Sequence, residues 1–354
     1  MEQLISPAFY RGKRVFVTGH TGFKGAWMSR MLLNLGVEVT GFALDPPTEP
    51  NLFALLGLTG RMRSVTGDVR DLAALCAAMD AARPDIVIHM AAQPIVRESY
   101  RDPVGTYEVN VMGTVNLLEA VHRCDSVRSL INVTTDKVYQ NNEWPWGYRE
   151  ADALDGYDPY SNSKSCSELV TATYRRSFFA GRAIAISTMR AGNVIGGGDF
   201  AADRILPDCL RALEAGRSIA VRNPNSIRPY QHVLEAVSAY LMLAWRQWEE
   251  PALAGCYNVG PDDGDCVTTG QLLGIFCRHW GPGAAWVSHE EVGAPHEAGL
   301  LKLDCAKLKK ALGWRPRWTV DDAVARTVAW DRAYLAGEDT APVVDRQITE
   351  YLEL

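Results

Sequence analysis

Arg14-Val15-Phe16-Val17-Thr18-Gly19-His20-Thr21-Gly22-Phe23-Lys24-Gly25 is the stretch that decides the fold. Its first five residues are largely apolar and β-branched and read as a buried strand, and a helix is expected from Gly25 to Leu35. Gly19 permits a tight turn, Gly22 lets the backbone approach a pyrophosphate, and Gly25 lets helix and strand pack closely. The helix N-terminus then offers free N–H groups and a partial positive charge to phosphates. The spacing is G-x-x-G-x-x-G, and Lys24 adds a cation within the turn. In strand–turn–helix context this is a dinucleotide-binding signal.

The pattern continues outward. Val37 to Phe42 and Asp85 to His89 are expected as further strands, with an alanine-rich helix from about Asp71 between them. A long helix is expected over Pro103 to Arg123, a strand over Arg128 to Thr134, a helix over Tyr157 to Phe179 and a strand over Ala183 to Met189. Strands separated by helices imply right-handed βαβ units and a doubly wound parallel sheet of the Rossmann type, covered on both faces. After about Gly192 glycine and proline become frequent. Helices at about Leu206–Ala215, Val233–Trp248, Thr269–Trp280 and Val320–Leu335 alternate there with short extended pieces. Residues 1–192 are therefore expected to form a dinucleotide-binding domain, and 193–354 mainly a smaller, mixed α/β substrate domain, interleaved at the boundary. The site is expected in the crevice between them, at the carboxyl ends of the strands.

Bulk properties narrow the class. The 354 residues are 47% hydrophobic and 22% charged, ordinary for a globular protein. A net charge of -6 argues against a general nucleic-acid binder, since no basic excess exists to neutralise phosphates. The eight cysteines form no C-x-x-C pair and suit a reducing compartment. No apolar run approaches ~18 residues and the N-terminus carries no leader pattern, so a cytoplasmic protein with no membrane partner is expected. His289-Glu290-Glu291 and His296-Glu297 lack ligand spacing on a helix, and no metal is expected.

The reactive chemistry sits in two runs. Tyr160-Ser161-Asn162-Ser163-Lys164 opens a helix, so Tyr160 and Lys164 are i, i+4 neighbours on one face. A phenol near pKa ~10 is a poor base at neutral pH, and a nearby ammonium favours its ionised form. Tyr160 can then take a proton from a hydroxyl while hydride leaves for a dinucleotide. Thr134-Thr135-Asp136-Lys137 ends the preceding strand, where side chains point into the crevice. Thr135 can hydrogen-bond the reacting hydroxyl; the plainer reading is a strand end followed by a solvated charge pair. An acidic residue at the end of the second strand normally selects NAD over NADP. Here that position is Ala43, with Asp45 two residues on. Asp68 follows a third short strand and is either an adenine contact or a turn aspartate.

Together, the glycine spacing, the strand-end Thr135 and Y-x-x-x-K resemble the extended short-chain dehydrogenase/reductase family. The Thr-Asp-Lys run is similar to the sugar-nucleotide 4,6-dehydratases within it, which place an acid and a base after the Thr/Ser. Most of those have Asp-Glu, whereas Asp136-Lys137 is similar to the branch acting on CDP-hexoses. So are His89-Met90-Ala91-Ala92-Gln93-Pro94, Asn110 to Val115, Trp144 to Glu150, Arg190 to Asp199, and Arg228 to Glu235. The resemblance runs from about residue 12 to nearly 340. Thr135 stands where that branch usually has Ser, and Tyr230 where Trp is expected.

This resemblance implies NAD as cofactor, held by Gly19, Thr21, Gly22, Phe23, Lys24, Gly25, Asp68, Val69, Ala91, Ala92, Gln93, Asn110, Tyr160 and Lys164. It implies a nucleoside-diphosphate hexose as substrate, CDP-glucose favoured, contacted by Gln93, Asn193, Arg204, Arg228 and His232. The arginines are candidates for the diphosphate because guanidinium matches phosphate bidentately, although an isolated arginine also reads as a surface charge. A homodimer or dimer-based oligomer through the helices over 103–123 and 157–179 is implied as well. The implied reaction oxidises C4 transiently, removes water across C5 and C6, and returns hydride to C6. Thr135, Tyr160 and Lys164 serve the hydride steps and Asp136 is the acid. Lys137 is either the C5 base or an electrostatic stabiliser of the enolate. A 4-epimerase on the same scaffold needs no such eliminating pair.

Overall fold

A computed structural model describes residues 4–289 and 298–353. Glu290-Glu291 and His296-Glu297, set aside above as metal ligands, lie outside the described residues. Seven strands form the central sheet: β1 (Arg14–Thr18), β2 (Glu38–Ala43), β3 (Arg63–Thr66), β4 (Ile86–His89), β5 (Ser129–Val133), β6 (Ala185–Ala191) and β7 (Cys256–Val259). Their spatial order is β7-β6-β5-β4-β1-β2-β3, and every neighbouring pair is parallel. Helices cover both faces, so every residue of β5 and β6 is buried. Alternate side chains go to opposite faces. Val15, Val17, Ile86 and Ile88 join one core, while Phe16, Val87, Leu130 and Ile186 join the other.

Five helices matter to the site: α1 (Phe23–Asn34), α2 (Leu72–Ala82), α3 (the helical run from Pro103 to Arg123), α4 (Pro159–Ser177) and α5 (Val233–Glu249). The helix expected from Gly25 begins at Phe23, so Lys24 and Gly25 lie in its first turn. The run expected over Pro103–Arg123 is not uniform: Glu108–Met112 is a π-helical turn between two α segments. Such a turn widens the helix by one residue and often accompanies a functional position. Here it carries Asn110, 1% exposed.

The sheet does not end where the regular βα alternation ends in the sequence. β7 comes from residues 256–259 and pairs with β6 in the register Tyr257↔Met189. The chain also returns through α5, whose Gln247 amide donates to Ser129 Oγ at 2.8 Å and to the carbonyls of Leu130 and Ala185. The segment between β6 and α5, with later helices, builds a separate core around Ile219, Tyr230, Leu272, Phe276 and Val324. Strand order reverses between β1 and β4, which opens a crevice at their carboxyl ends. No described helix is long and apolar enough to cross a membrane.

Candidate active site

A cleft of about 1820 Å³ runs along those strand ends, larger than the ~300–1,000 Å³ of a single small-ligand pocket. Gly19, Thr21, Gly22, Phe23, Lys24 and Gly25 line one part of it. Gly19 has φ +75, and a Cβ there would meet the Ala91 nitrogen at 2.7 Å. A Cβ on Gly25 would run into the Gly19 carbonyl oxygen. Both glycines are therefore required by the protein's own packing. Gly22 is different, since its nearest neighbour for a Cβ is the Gly19 oxygen at 3.5 Å. It is the N-cap of α1 and makes no side-chain cap bond, leaving first-turn N–H groups directed at the cleft. That bare cradle fits a pyrophosphate. Thr21 is tied to the carbonyl of Leu44 at 2.9 Å, holding the turn to the end of β2.

Other expected cofactor residues divide into wall and support. Ala91, Ala92, Asp68 and Val69 line the cleft, as do Ala43 and Asp45. Asp68 is paired with Arg70 at 2.6 Å, which holds its carboxyl below the usual range. Gln93 and Asn110 are not on the wall. The Gln93 side chain donates to Thr106 Oγ1 and accepts from the Ile95 amide. Asn110 accepts from the Gln93 amide at 2.9 Å and donates to the Gln93 carbonyl and Ser163 Oγ. These two residues brace the loop after β4 against α4, with their side-chain groups already committed.

The reactive groups converge beyond β5. Thr135 caps a short 3-10 turn over Asp136–Val138 and donates to Asp136 Oδ1 at 3.0 Å. Asp136 is 1% exposed, and its Oδ2 is buried with no hydrogen-bond partner. An orphaned buried carboxylate oxygen facing a cleft calls for a ligand or a proton. Lys137 Nζ lies 3.6 Å from Asp136 Oδ1 and donates to Asn193 Oδ1 at 3.5 Å. Asn193 thus meets the Asp136–Lys137 pair through the lysine. Tyr160 and Lys164 both line the cleft from the first turns of α4, whose N-cap is Asp158.

Charges are unevenly matched around them. Burial pushes the Tyr160 phenol up to about 12, while a hydrogen bond with Thr135 and the charge of Arg204 oppose the rise. Burial pulls Lys164 down to about 8, with Glu168 opposing it. Lys24 is pulled to about 7, first by burial and then by the cations Arg204 and Lys164. Its ammonium donates to Tyr240 Oη of α5 at 3.4 Å.

On the far wall Arg204 pairs with Asp199 at 3.7 Å, and Arg228 donates to the carbonyls of Ile227 and Ala298. Both line the cleft. His232 stands apart. It is fully buried between the rings of Trp27 and Trp318, accepts from the Leu234 amide as the N-cap of α5, and is held neutral by burial at about 3. The resemblance implied a substrate contact here; packing instead uses the residue as a helix cap. Sequence reading missed the layer behind the site. Thr18 Oγ1 and His89 Nδ1 meet at 2.7 Å across β1 and β4, at the point where strand order reverses. Behind Thr134, Glu168 and Arg190 form a pair in which both are 3% exposed. Among the described residues no cluster of His, Cys, Asp and Glu could hold a metal.

Comparison with known proteins agrees with this geometry. A family model described as the NAD dependent epimerase/dehydratase family matches residues 15–260. The chain is 47% identical to the CDP-glucose 4,6-dehydratase of Salmonella typhimurium over 99% of both chains. It is 28% identical to the dTDP-glucose 4,6-dehydratase of Streptomyces antibioticus, over 90% of this chain and 92% of that one. Among solved structures it is similar to the Thermus thermophilus UDP-glucose 4-epimerase complex with NAD. The TM-score there is 0.77 and the identity 26%, covering 90% of this chain and 99% of the other.

Proposed function

The chain belongs to the NAD dependent epimerase/dehydratase family, and from that premise we propose that it converts CDP-glucose to CDP-4-keto-6-deoxyglucose as a nucleotide-sugar 4,6-dehydratase. The observation that carries this reading is the juxtaposition of Asp136 and Lys137 with Thr135. An epimerase needs the hydride-transfer residues alone, whereas elimination needs an acid and a base beside them.

NAD, the cofactor, would be held at the Gly19–Gly25 turn and would supply the hydride acceptor for C4 and the hydride donor for C6. The protons are handled by side chains of this chain. Thr135 holds the C4 hydroxyl and Tyr160 removes its proton, helped by the positive charge of Lys164. A C4 ketone makes the C5 proton acidic. Asp136 and Lys137 lie close enough for the two groups to be armed together. Moving one proton from the ammonium to the carboxylate leaves a neutral amine and a carboxylic acid, the forms that remove the C5 proton and protonate the C6 hydroxyl. Elimination restores the ion pair, and Lys137 returns its proton to C5 as C6 is reduced. Asn193 steadies the amine through its amide oxygen. Arg204 and Arg228 serve the diphosphate, for which the guanidinium fork is suited.

Two coarser features complete the reading. Val104 and Met112 on α3 and Leu169 on α4 are 68%, 50% and 55% exposed, which supports a homodimer through these helices. The eight free cysteines support work in the reducing cytoplasm.

Incubation with CDP-, dTDP-, GDP- and UDP-hexoses, followed by mass spectrometry, tests the proposal. CDP-glucose should lose one water and take up deuterium at C5 in heavy water. Turnover of a dTDP-sugar but not of CDP-glucose would remove the CDP assignment and leave the class. An epimerised product with no loss of water would remove the class. A Lys137→Glu variant with full elimination would leave the lysine without a special role.

A further inference from the structure

One face of α4 grips the end of β5. Lys164 Nζ donates to the Val133 carbonyl at 3.2 Å and Glu168 Oε1 accepts the Thr134 hydroxyl, while the Tyr160 phenol feels the neighbouring Thr135. Positions 160, 164 and 168 are spaced four residues apart, so they stack on one side of the helix. The other oxygen of Glu168 accepts from Thr188 Oγ1 at 2.7 Å and from Arg190 at 2.8 Å. Arg190 passes on to Tyr139 Oη and to the Glu150 carbonyl, and Tyr139 donates to Asn258 on β7. Buried ion pairs are weak sources of stability, because desolvation cancels most of their attraction. A pair set directly behind a reactive helix has a different value: it fixes position and potential.

We infer that Glu168 is a positioning residue for the hydride-transfer step, setting α4 on the strand end through Thr134 and Arg190 and placing a buried carboxylate one helical turn from Lys164 on the same face. This rests on the role given above to Tyr160 and Lys164. The groups acting on this region come from several elements. Lys24 of α1 and His89 of β4 feel the charge of Lys164, and Lys24 also feels Asp136 and Arg204. Tyr160 feels Asp136, Asp158 and Arg204, and Tyr240 of α5 feels Tyr160 and Asp136. From α3, Tyr107 and Glu119 reach α4 at Asn162 and Tyr174. Burial lowers Lys164, and His89 is neutral. Glu168 opposes that lowering.

The test compares the holoenzyme with its Glu168→Gln variant. The expected result is a kcat for CDP-glucose lowered about ten- to hundredfold with KM little changed. The alkaline limb of the kcat profile should also move down by roughly one pH unit, because Lys164 loses its proton earlier. Glu168→Asp should restore part of that shift. A Glu168→Gln enzyme with an unmoved alkaline limb and only a lower melting temperature would overturn the inference, since structural loss alone does not move a titration. If Glu168→Gln does not fold, the double variant Glu168→Gln with Arg190→Met removes both charges, and the same shift is required of it. Should wild type leave CDP-glucose untouched, the proposed function fails separately. The side-chain carbon signal of Lys164, titrated by NMR in wild type and variant, then decides the inference: an equal midpoint in both overturns it.

Discussion

The two walls of the cleft are made differently. On the cofactor wall the shape comes from backbone, with Gly19 and Gly25 excluding any side chain, Thr21 already bound to the end of β2, and Gln93 and Asn110 bracing the loop from behind. On the substrate wall the shape comes from charged side chains held by one another: Lys137 between Asp136 and Asn193, and Arg204 on Asp199. The first wall is preformed by sterics and needs no rearrangement. The second is an arrangement of ion pairs whose members are able to exchange a partner for a ligand or a proton. Backbone walls are spoiled by added volume, and charged walls by removed charge.

The largest expected effect lies on the charged wall. Asp136→Asn keeps the volume and removes the transferable proton, so elimination should fall by about 10³-fold, within the usual range for a general acid. Folding and NAD binding should be unaffected, and rapid mixing with CDP-glucose should still show reduction of the cofactor. Loss of that first reduction would blur the division between the walls. The next effect lies on the backbone wall. Gly25→Ala forces a Cβ against the Gly19 carbonyl and should destabilise the fold by about 2–3 kcal/mol, with NAD retention lost. Calorimetry with and without added NAD checks this, and an unchanged melting temperature would show that the turn yields.

The smallest effect concerns the cation on the backbone wall. Lys24 titrates at about 7 in the folded chain against about 10.4 when unfolded. The unfolded chain therefore binds more protons between these values, and stability rises with pH across that window as the folded state sheds its buried charge. Lys24→Met should flatten this rise and stabilise the protein near neutral pH, while weakening NAD binding. Denaturant melts from pH 6 to about 10 read the slope directly. A slope unchanged in Lys24→Met would assign it to other groups.

How much of this was legible in the sequence depends on the range of the interaction. The turn at Gly19 was legible because a strand, three glycines and a helix are contiguous and their sterics are local. Tyr160 and Lys164 were legible because helical periodicity alone puts them on one face. The π-helical turn at Glu108–Met112 was not, since nothing in its composition separates it from the surrounding helix. β7 was missed because four residues, Cys256 to Val259, carry too short a pattern, and its partner residues on β6 lie 68 positions earlier. His232 was placed among the substrate contacts by family resemblance, but it is buried between Trp27 and Trp318 and caps α5.

By itself the sequence determined the parallel α/β class, the phosphate turn, and the pair of residues able to move a hydride, while the eliminating role of Asp136 and Lys137 came from family resemblance. The first three follow from neighbours within about one turn or one strand, where spacing and geometry are nearly the same thing. Tertiary structure alone decided that Asn193 meets Lys137, that Glu168 meets Arg190 behind the reactive helix, and that Gln93 and Asn110 brace a loop rather than line the wall. Those meetings join residues from 17 to 56 positions apart. Their geometry follows from how the sheet and its helices close around one another, which no local pattern of residues encodes.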